Sequence, residues 1–371
     1  SRRTARFPVP PFTRPARMIA VALSGGVDSA AAAIRLHEER EAIMGVTFVF
    51  GESNPPPEHI ERAGSLCAYL NVRHTVVDAS SPFTAVMDYF CREYLAGNTP
   101  NPCVVCNRDI KFGLFLKKAS ELGAERVATG HYVRKAAEGR RTWLGQAREM
   151  NSQEYFLGML SQEAIRLSVF PLHDTTKEEA RKLAASTHVA IHKRDTSQDV
   201  CFIGPGGYVP FISSCTGYHP CPGDILDQRG LVIGRHRGAL FYTIGQRKGL
   251  GMGFGKRVYV LDKDMKKNTV TVGERAQWPY QSFFMEQVNF MKISGLKEPR
   301  EVRIKVRYRQ EARDALLIPA PDGRVEVRYE GMFSPGQLAV AYDGREDILC
   351  AGFIRSPQKN IHVISPWCPK E

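Results

Sequence analysis

The apolar run Met18 to Leu23 stops at Ser24-Gly25-Gly26-Val27-Asp28-Ser29, and an alanine-rich stretch, Ala30 to Glu38, follows at once. The apolar run reads as a buried parallel strand and the alanine-rich one as a helix. Strand, glycine turn and helix start, in that order, restrict this part of the chain to an α/β layout with an anion site at the turn. Gly25 and Gly26 can take backbone angles closed to other residues, so the main chain can approach a ligand. Successive N–H groups then form a nest at the positive end of the helix. Ser24 and Ser29 add hydroxyl donors, and Asp28 adds a carboxylate able to help hold a divalent metal. No Gly-Lys-Ser/Thr ending is present, so this is not the loop that grips the β and γ phosphates in phosphoryl transfer. The Gly-x-Gly-x-x-Gly dinucleotide turn is missing as well.

The pattern repeats downstream. Ala42 to Phe50, His74 to Asp78 and Val127 to Gly130 read as strands, with helices over Glu58 to Leu70 and Phe83 to Leu95 between them. Such alternation predicts a doubly wound parallel sheet, with ligands outside the carboxyl ends of its strands. Ser24, Phe48, Asp78 and Gly130 lie at those ends. Around residue 210 helical periodicity gives way to short alternating runs punctuated by glycine. A hairpin through Lys266-Lys267-Asn268 and turns at Asp322-Gly323, Pro335-Gly336 and Asp343-Gly344 predict a β-rich remainder. The expected organisation is a basic leader over 1–17, a nucleotide domain over 18–209, a small β-rich central domain over 210–280 and a C-terminal β-barrel over 281–365. The leader is arginine-rich, lacks acids and reads as a disordered arm.

The chain has 371 residues and a formal net charge of +12, which suggests a polyanionic partner. In Val302-Arg303-Ile304-Lys305-Val306-Arg307-Tyr308-Arg309 every odd position is cationic, and period-two alternation predicts four cations on one face of a strand, suited to phosphate contact. No uncharged apolar run reaches the length of about eighteen residues needed to span a membrane. Nine cysteines, an odd number, argue for a reducing compartment. Cys67, Cys91 and Cys350 sit in apolar periodic surroundings and read as small core residues.

Three other thiols stand apart. Cys103 and Cys106 form a Cys-x-x-Cys that opens a helix after the stiff loop Asn98-Thr99-Pro100-Asn101-Pro102, and a helix N-terminus is expected to lower a thiol pKa. A zinc site would need two further ligands, and no second Cys-x-x-Cys exists. Cys201 lies among polar residues, after Ser197-Gln198-Asp199 and before Pro205-Gly206-Gly207. A nucleotide loop, reactive thiols and basic β appendages together suit a reaction in which ATP activates a carbonyl oxygen of a nucleic acid and sulfur displaces the adenylate. The target base must then be unstacked and flipped into a pocket. Amide synthesis on a small metabolite would need the loop but no thiols, and a plain RNA-binding module would need neither.

The segment Ser24 to Ser29 resembles the pyrophosphate loop of the ATP pyrophosphatases. With Thr99-Pro100-Asn101-Pro102, Cys106-Asn107, Ile110-Lys111-Phe112, Ala128-Thr129-Gly130-His131-Tyr132, Gln153 with Tyr155-Phe156-Leu157, Cys201-Phe202, Tyr242 to Leu250 and Pro335-Gly336-Gln337 in order, the chain is similar to the tRNA-specific 2-thiouridylases from about Ile19 to Phe353. That resemblance implies thiolation of the wobble uridine of tRNA with ATP and Mg2+ and a sulfur-donor partner; the expected location is cytoplasmic, with an organellar matrix as the alternative, and no membrane. It implies that Ala22, Leu23, Ser24, Gly25, Gly26, Val27, Asp28, Ser29, Phe48 and Gly130 contact ATP. Cys201 would carry a persulfide, and Cys106 would be the nucleophile that can form a disulfide with it as sulfur is delivered. Asn101, Pro102 and Cys103 would touch the target base, and His131, Asn151, Ser152, Gln153, Arg307, Tyr308 and Gln337 the tRNA. Two departures stand out. Cys103 replaces the family's common Asp, which leaves the general acid/base unassigned, and Asn151-Ser152-Gln153 replaces Lys-Asp-Gln. Cys103, Cys106 and Cys201 would equally suit a 4Fe–4S cluster with one open iron.

Overall fold

The computed structural model describes residues 17–51, 58–150, 152–187, 200–251, 253, 255, 257–344 and 346–356. Most of the expected leader, Asn151 and Ser197-Gln198-Asp199 lie outside these residues.

The first apolar run forms β1 (Ile19–Ala22), and the alanine-rich stretch forms α1 (Val27–Glu38). Then come β2 (Ile43–Val49), α2 (Glu58–Tyr69), β3 (His74–Asp78) and α3 (Ser80–Leu95). The thiol segment follows as α4 (Pro102–Cys106), a π-helix over Asn107–Leu114 and α5 (Phe115–Glu121). Next are β4 (Arg126–Ala128), the hairpin β5 (Arg134–Glu138) and β6 (Arg141–Gly145), α6 (Gln162–Leu167), β7 (Ser168–Val169) and α7 (Lys177–Ala185).

The parallel sheet has strand order β3-β2-β1-β4-β7. Alternate residues of β1 feed its two faces. Ile19 and Val21 pack with Ala30, Ala33 and Ile34 of α1, while Ala20 joins Phe48, Phe83 and Phe115 on the other side. The chain leaves β1 toward β2 on one side and reaches β4 on the other. The loops after β1 and β4 therefore part at a topological switch point, where α/β sheets bind ligands.

The shift to β structure comes later than the expected change at residue 210. Residues Tyr208–Thr216 form one more helix, α8, closed by Gly217 in the left-handed region at φ 70°. Its first turn accommodates Pro210, whose missing N–H has no partner to lose there. The central sheet then runs β10-β11-β8-β9, with β8 (Gly223–Leu226), β9 (Val232–His236), β10 (Tyr259–Asp264) and β11 (Thr269–Gly273).

The last six strands close into a barrel in the order β12-β15-β14-β13-β16-β17. They are β12 (Ser282–Phe290), β13 (Arg300–Lys305), β14 (Arg313–Pro319), β15 (Val325–Tyr329), β16 (Leu338–Tyr342) and β17 (Ile348–Arg355). All five residues of β16 are buried, because its outer face packs on the nucleotide domain while its inner face fills the barrel. Leu338, Val340 and Tyr342 join the core of the α/β half; Ala339 and Ala341 join that of the barrel.

The expected four-cation face does not form. Strand β13 ends at Lys305, so period-two alternation is lost beyond it. The Lys305 ammonium turns inward onto Glu154, which is fully buried, at 3.1 Å. Arg307 turns inward too and donates to Ile244 O at 2.7 Å and Ser334 Oγ at 2.6 Å, joining barrel to central domain. Among the described residues no helix is long and apolar enough to cross a membrane.

Candidate nucleotide and thiol site

At the turn after β1, Gly25 has φ 70°, and a Cβ there would lie 2.8 Å from the His59 backbone. Only glycine fits both demands. Ser29 Oγ accepts from Ser24 N at 3.2 Å and donates to Gly26 O at 3.0 Å, tying the turn to the first turn of α1. Gly130, just beyond β4, sits so close that a Cβ would fall 2.6 Å from the Asp28 carbonyl carbon. The β4 end and the loop are thus in backbone contact. Phe48 is buried at the end of β2 with its ring edge-on to Phe115.

Both oxygens of Asp28 have a partner. Its Oδ1 accepts from the Tyr132 hydroxyl at 2.8 Å and its Oδ2 from Lys177 Nζ at 2.6 Å.

Cys103 and Cys106 are both on α4, and Asn107 at its end anchors the segment by donating from Nδ2 to Phe156 O at 3.2 Å. Gln337 Nε2 donates to Thr99 O at 2.8 Å and Thr99 N to Pro335 O at 2.7 Å, so the barrel grips the loop that carries the thiols. Cys201 is exposed, and the neighbouring Phe202 ring packs on Phe83, Phe90 and Phe211.

The expected lowering of the thiol pKa at the helix N-terminus is overturned. Burial pushes the Cys103 and Cys106 thiols up, Cys106 to about 11, and partial desolvation raises the more open Cys201 as well. Desolvating an anion outweighs the partial charge of a five-residue helix. The Lys111 ammonium opposes that rise at Cys103, Cys106 and Cys201 alike. Burial and then the same lysine push His131 down to about 3, so its imidazole is neutral; its Nδ1 lies 2.9 Å from Thr129 Oγ1. One cation thus acts on the three thiols and on the residue following Gly130. Its position in Ile110-Lys111-Phe112 was visible in the sequence, but a role for it was not.

Among the described residues no group of three or more His, Cys, Asp or Glu side chains is arranged to hold a metal ion. The three thiols do not fit a 4Fe–4S cluster as they stand.

The residues expected at the tRNA have partners inside the protein. Gln153 Oε1 accepts from Tyr132 N at 3.0 Å, and Ser152 Oγ accepts from Ala147 N at 2.9 Å. Asn101 and Pro102 are buried. Tyr308 packs on Phe156 with centroids 4.4 Å apart and lines an open cavity of about 780 Å³ with Ser152, Arg303, Lys305 and Arg309.

These features define an α/β protein with a glycine turn after its first strand, a thiol segment whose π-helix reaches the His131 ring, and two further β domains. Residues 17–205 match the family model described as the tRNA methyl transferase HUP domain. Residues 211–274 match the tRNA methyl transferase PRC-barrel domain, and 280–354 the aminomethyltransferase beta-barrel domain. The chain is 38% identical over 361 residues to the tRNA-specific 2-thiouridylase of Treponema denticola, covering 92% of this chain and 98% of that one. It is 39% identical over 333 residues to the namesake of Syntrophomonas wolfei subsp. wolfei, covering 88% and 96%. The same identity holds over 345 residues for that of Heliobacterium modesticaldum, covering 88% and 89%. The chain belongs to the tRNA-specific 2-thiouridylase family.

Proposed function

We propose that this enzyme replaces O2 of the wobble uridine of tRNA by sulfur, using ATP. The uridine O2 attacks the α-phosphorus, the α–β P–O bond breaks, and pyrophosphate leaves with the electron pair. The loop N–H groups of Gly25 to Ser29 stabilise the charge that gathers there. The terminal sulfur of a Cys201 persulfide, loaded by a sulfur donor, then attacks C2, and AMP departs with the old oxygen. Cys106 as thiolate attacks the Cys201 sulfur; the S–S bond to the base breaks, its electrons form the C2 thiocarbonyl, and a Cys106–Cys201 disulfide remains for a thiol reductant to reopen. The persulfide route is preferred to a cluster because the thiols lack a metal-holding arrangement. Magnesium enters with the nucleotide and supplies charge neutralisation on its phosphates; no residue role is assigned to it.

The observation that carries this reading is Lys111, whose charge is felt by Cys103, Cys106, Cys201 and His131 together. Its neighbour Phe112 lies 5.8 Å from the His131 ring, which supports a thiol segment that meets the strand end whose Gly130 touches the loop. The test is Cys106→Ser and Cys201→Ser, read by mass spectrometry of tRNA and by pyrophosphate release. Both variants are expected to lose thiolated tRNA while retaining tRNA-dependent release of pyrophosphate. Thiolation that survives both substitutions would sink the relay.

A further inference from the structure

Val200 to Ile203 form a tight turn, closed by the Ile203 N–H donating to Val200 O at 3.0 Å, and Cys201 and Phe202 are its two central residues. The Cys201 thiol is exposed. The Phe202 ring packs instead against two regions at once, the core of the α/β half and the cluster between α3 and α8. In so short a turn, whatever fixes that ring also fixes the thiol beside it.

A file of rings leads from Phe202 to the strand ends. Phe202 meets Phe83 edge-on with centroids 5.7 Å apart, and Phe83 meets Phe50 at 4.3 Å. Phe50 is the residue after β2, and Phe83 lies in the first turn of α3, just beyond β3. The Ala79 N–H donates to Val49 O at 2.8 Å and the Phe83 N–H to Ala79 O at 2.9 Å, so both rings stand on joined backbone. From the far side Phe202 is held by Phe90 of α3 at 5.2 Å and Phe211 of α8 at 5.0 Å. Phe50 is 43% exposed, so it adds little to the core and serves chiefly as a backing for Phe83. Cys106 packs on the same core that takes Phe83 and Phe202.

We propose that Phe50, Phe83 and Phe202 form an aromatic ladder that ties Cys201 to the carboxyl ends of β2 and β3 and holds it within reach of Cys106. Phe50 and Phe83 are positioning residues: they act on the sulfur through Phe202 and touch no reacting atom. The inference deepens the sulfur-relay reading and rests on it. In that relay the Cys201 sulfur must meet first the activated base and then the Cys106 thiolate, and a reacting atom held near its target gains rate that a wandering one loses. The ladder fixes one end of that path without occupying it, since its rings lie on the Phe202 side of the turn.

The experiment uses the full chain and diamide, which takes two electrons and two protons from Cys106 and Cys201, leaves their disulfide and is itself reduced to the hydrazine; the product is read by non-reducing peptide mass spectrometry. Phe50→Ala is expected to slow formation of that disulfide about three- to tenfold, the scale of one lost ring pair, and Phe50→Tyr to keep it within about twofold. Phe83→Leu should slow it at least as much, and the half-exposed Phe50 keeps the test open should that variant not fold. In a Cys106→Ser background, alkylation of Cys201 by iodoacetamide should not slow in Phe50→Ala, because the thiol has lost its place and not its access. Thiolated tRNA should fall with the disulfide rate while tRNA-dependent release of pyrophosphate stays within about twofold of the parent. Disulfide formation as fast in Phe50→Ala as in the parent, no disulfide in the parent, or equal losses of pyrophosphate release and thiolation each overturn the proposal. Disulfide formation in the free enzyme needs neither ATP nor tRNA. A parent whose disulfide depends on the ladder, but which releases no pyrophosphate from ATP with tRNA, refutes the ATP reading alone.

Discussion

Cys106 is held back by its own burial, and the Lys111 charge moderates that penalty. A free thiol is half ionised near pH 8.5, so its alkylation levels off soon above that. With its pKa pushed up to about 11, Cys106 should react with iodoacetamide slowly at neutral pH, and the rate should still climb tenfold per pH unit between pH 8 and 10. Lys111→Met should slow it further at every pH, because the opposing charge is gone. A plateau below pH 9, followed by peptide mass spectrometry, would contradict the burial argument. His131 titrates with the opposite sign. Its folded pKa, about 3, is below the unfolded value, so the stability gained by keeping the ring neutral is present above about pH 6.5 and is lost as pH falls toward 3. His131→Asn should therefore flatten the fall of the urea midpoint between pH 6.5 and 4 relative to the parent. An unchanged pH dependence would mean that the ring is solvated.

At the scale of elements the thiol segment is unusual, because α4 runs straight into a π-helix over Asn107–Leu114. In that wider turn each N–H reaches five residues back, as Phe115 N does to Ile110 O. Lys111, five residues after Cys106, is thereby brought back toward the thiol; an α-helix would rotate it away. Gly113 marks the widened geometry, since a Cβ there would lie 2.9 Å from Arg108 O. In an ordinary helix Gly→Ala stabilises by about 1 kcal/mol. Here Gly113→Ala should destabilise by about 1–3 kcal/mol in urea unfolding and slow Cys106 alkylation, because the backbone must shift. Stabilisation would show that the segment is α-helical in solution. The sequence disclosed much of the frame: apolar runs located β1, β2, β3 and β4, and the glycine turn located the loop. Short-range patterns could not show that β13 ends at Lys305, because Val306 to Arg309 keeps the alternation while a turn breaks the face. Nor could they show the partner of Asp28, since Lys177 is 149 residues away and only folding joins them. The β5–β6 hairpin was equally silent, its pattern being too short and polar to stand out.

Over the whole molecule that hairpin fastens the nucleotide domain to the barrel. Arg141 donates to the carbonyls of Phe290, Met291 and Ile293, and Arg134 pairs with Asp347. Asp347 is buried and also accepts from Lys292 Nζ at 2.7 Å, and the same ammonium bonds Asp343. Burial alone would raise the Asp347 pKa, but hydrogen bonds from Lys292 and Arg134 bring it below the usual carboxylate value. The sign follows: the group stabilises the fold above its unfolded pKa, near 3.9, and that contribution is lost as pH falls through the lower folded one. Lys292→Met reverses the balance, because Asp343 and Asp347 are left facing each other without the ammonium that bonds both. Breaking a buried pair by removing one partner costs about 3–5 kcal/mol. We expect Lys292→Met to lose stability on that scale at pH 7.5 and to regain part of it near pH 5, where one of the two carboxylates takes a proton. The parent should show no such gain on acidification. Because the barrel also grips the thiol loop through Gln337 and Pro335, the variant should lower the yield of thiolated tRNA together with the urea midpoint. A variant that unfolds like the parent at both pH values would mean that the apolar core shared through β16 joins the domains without help from these charges.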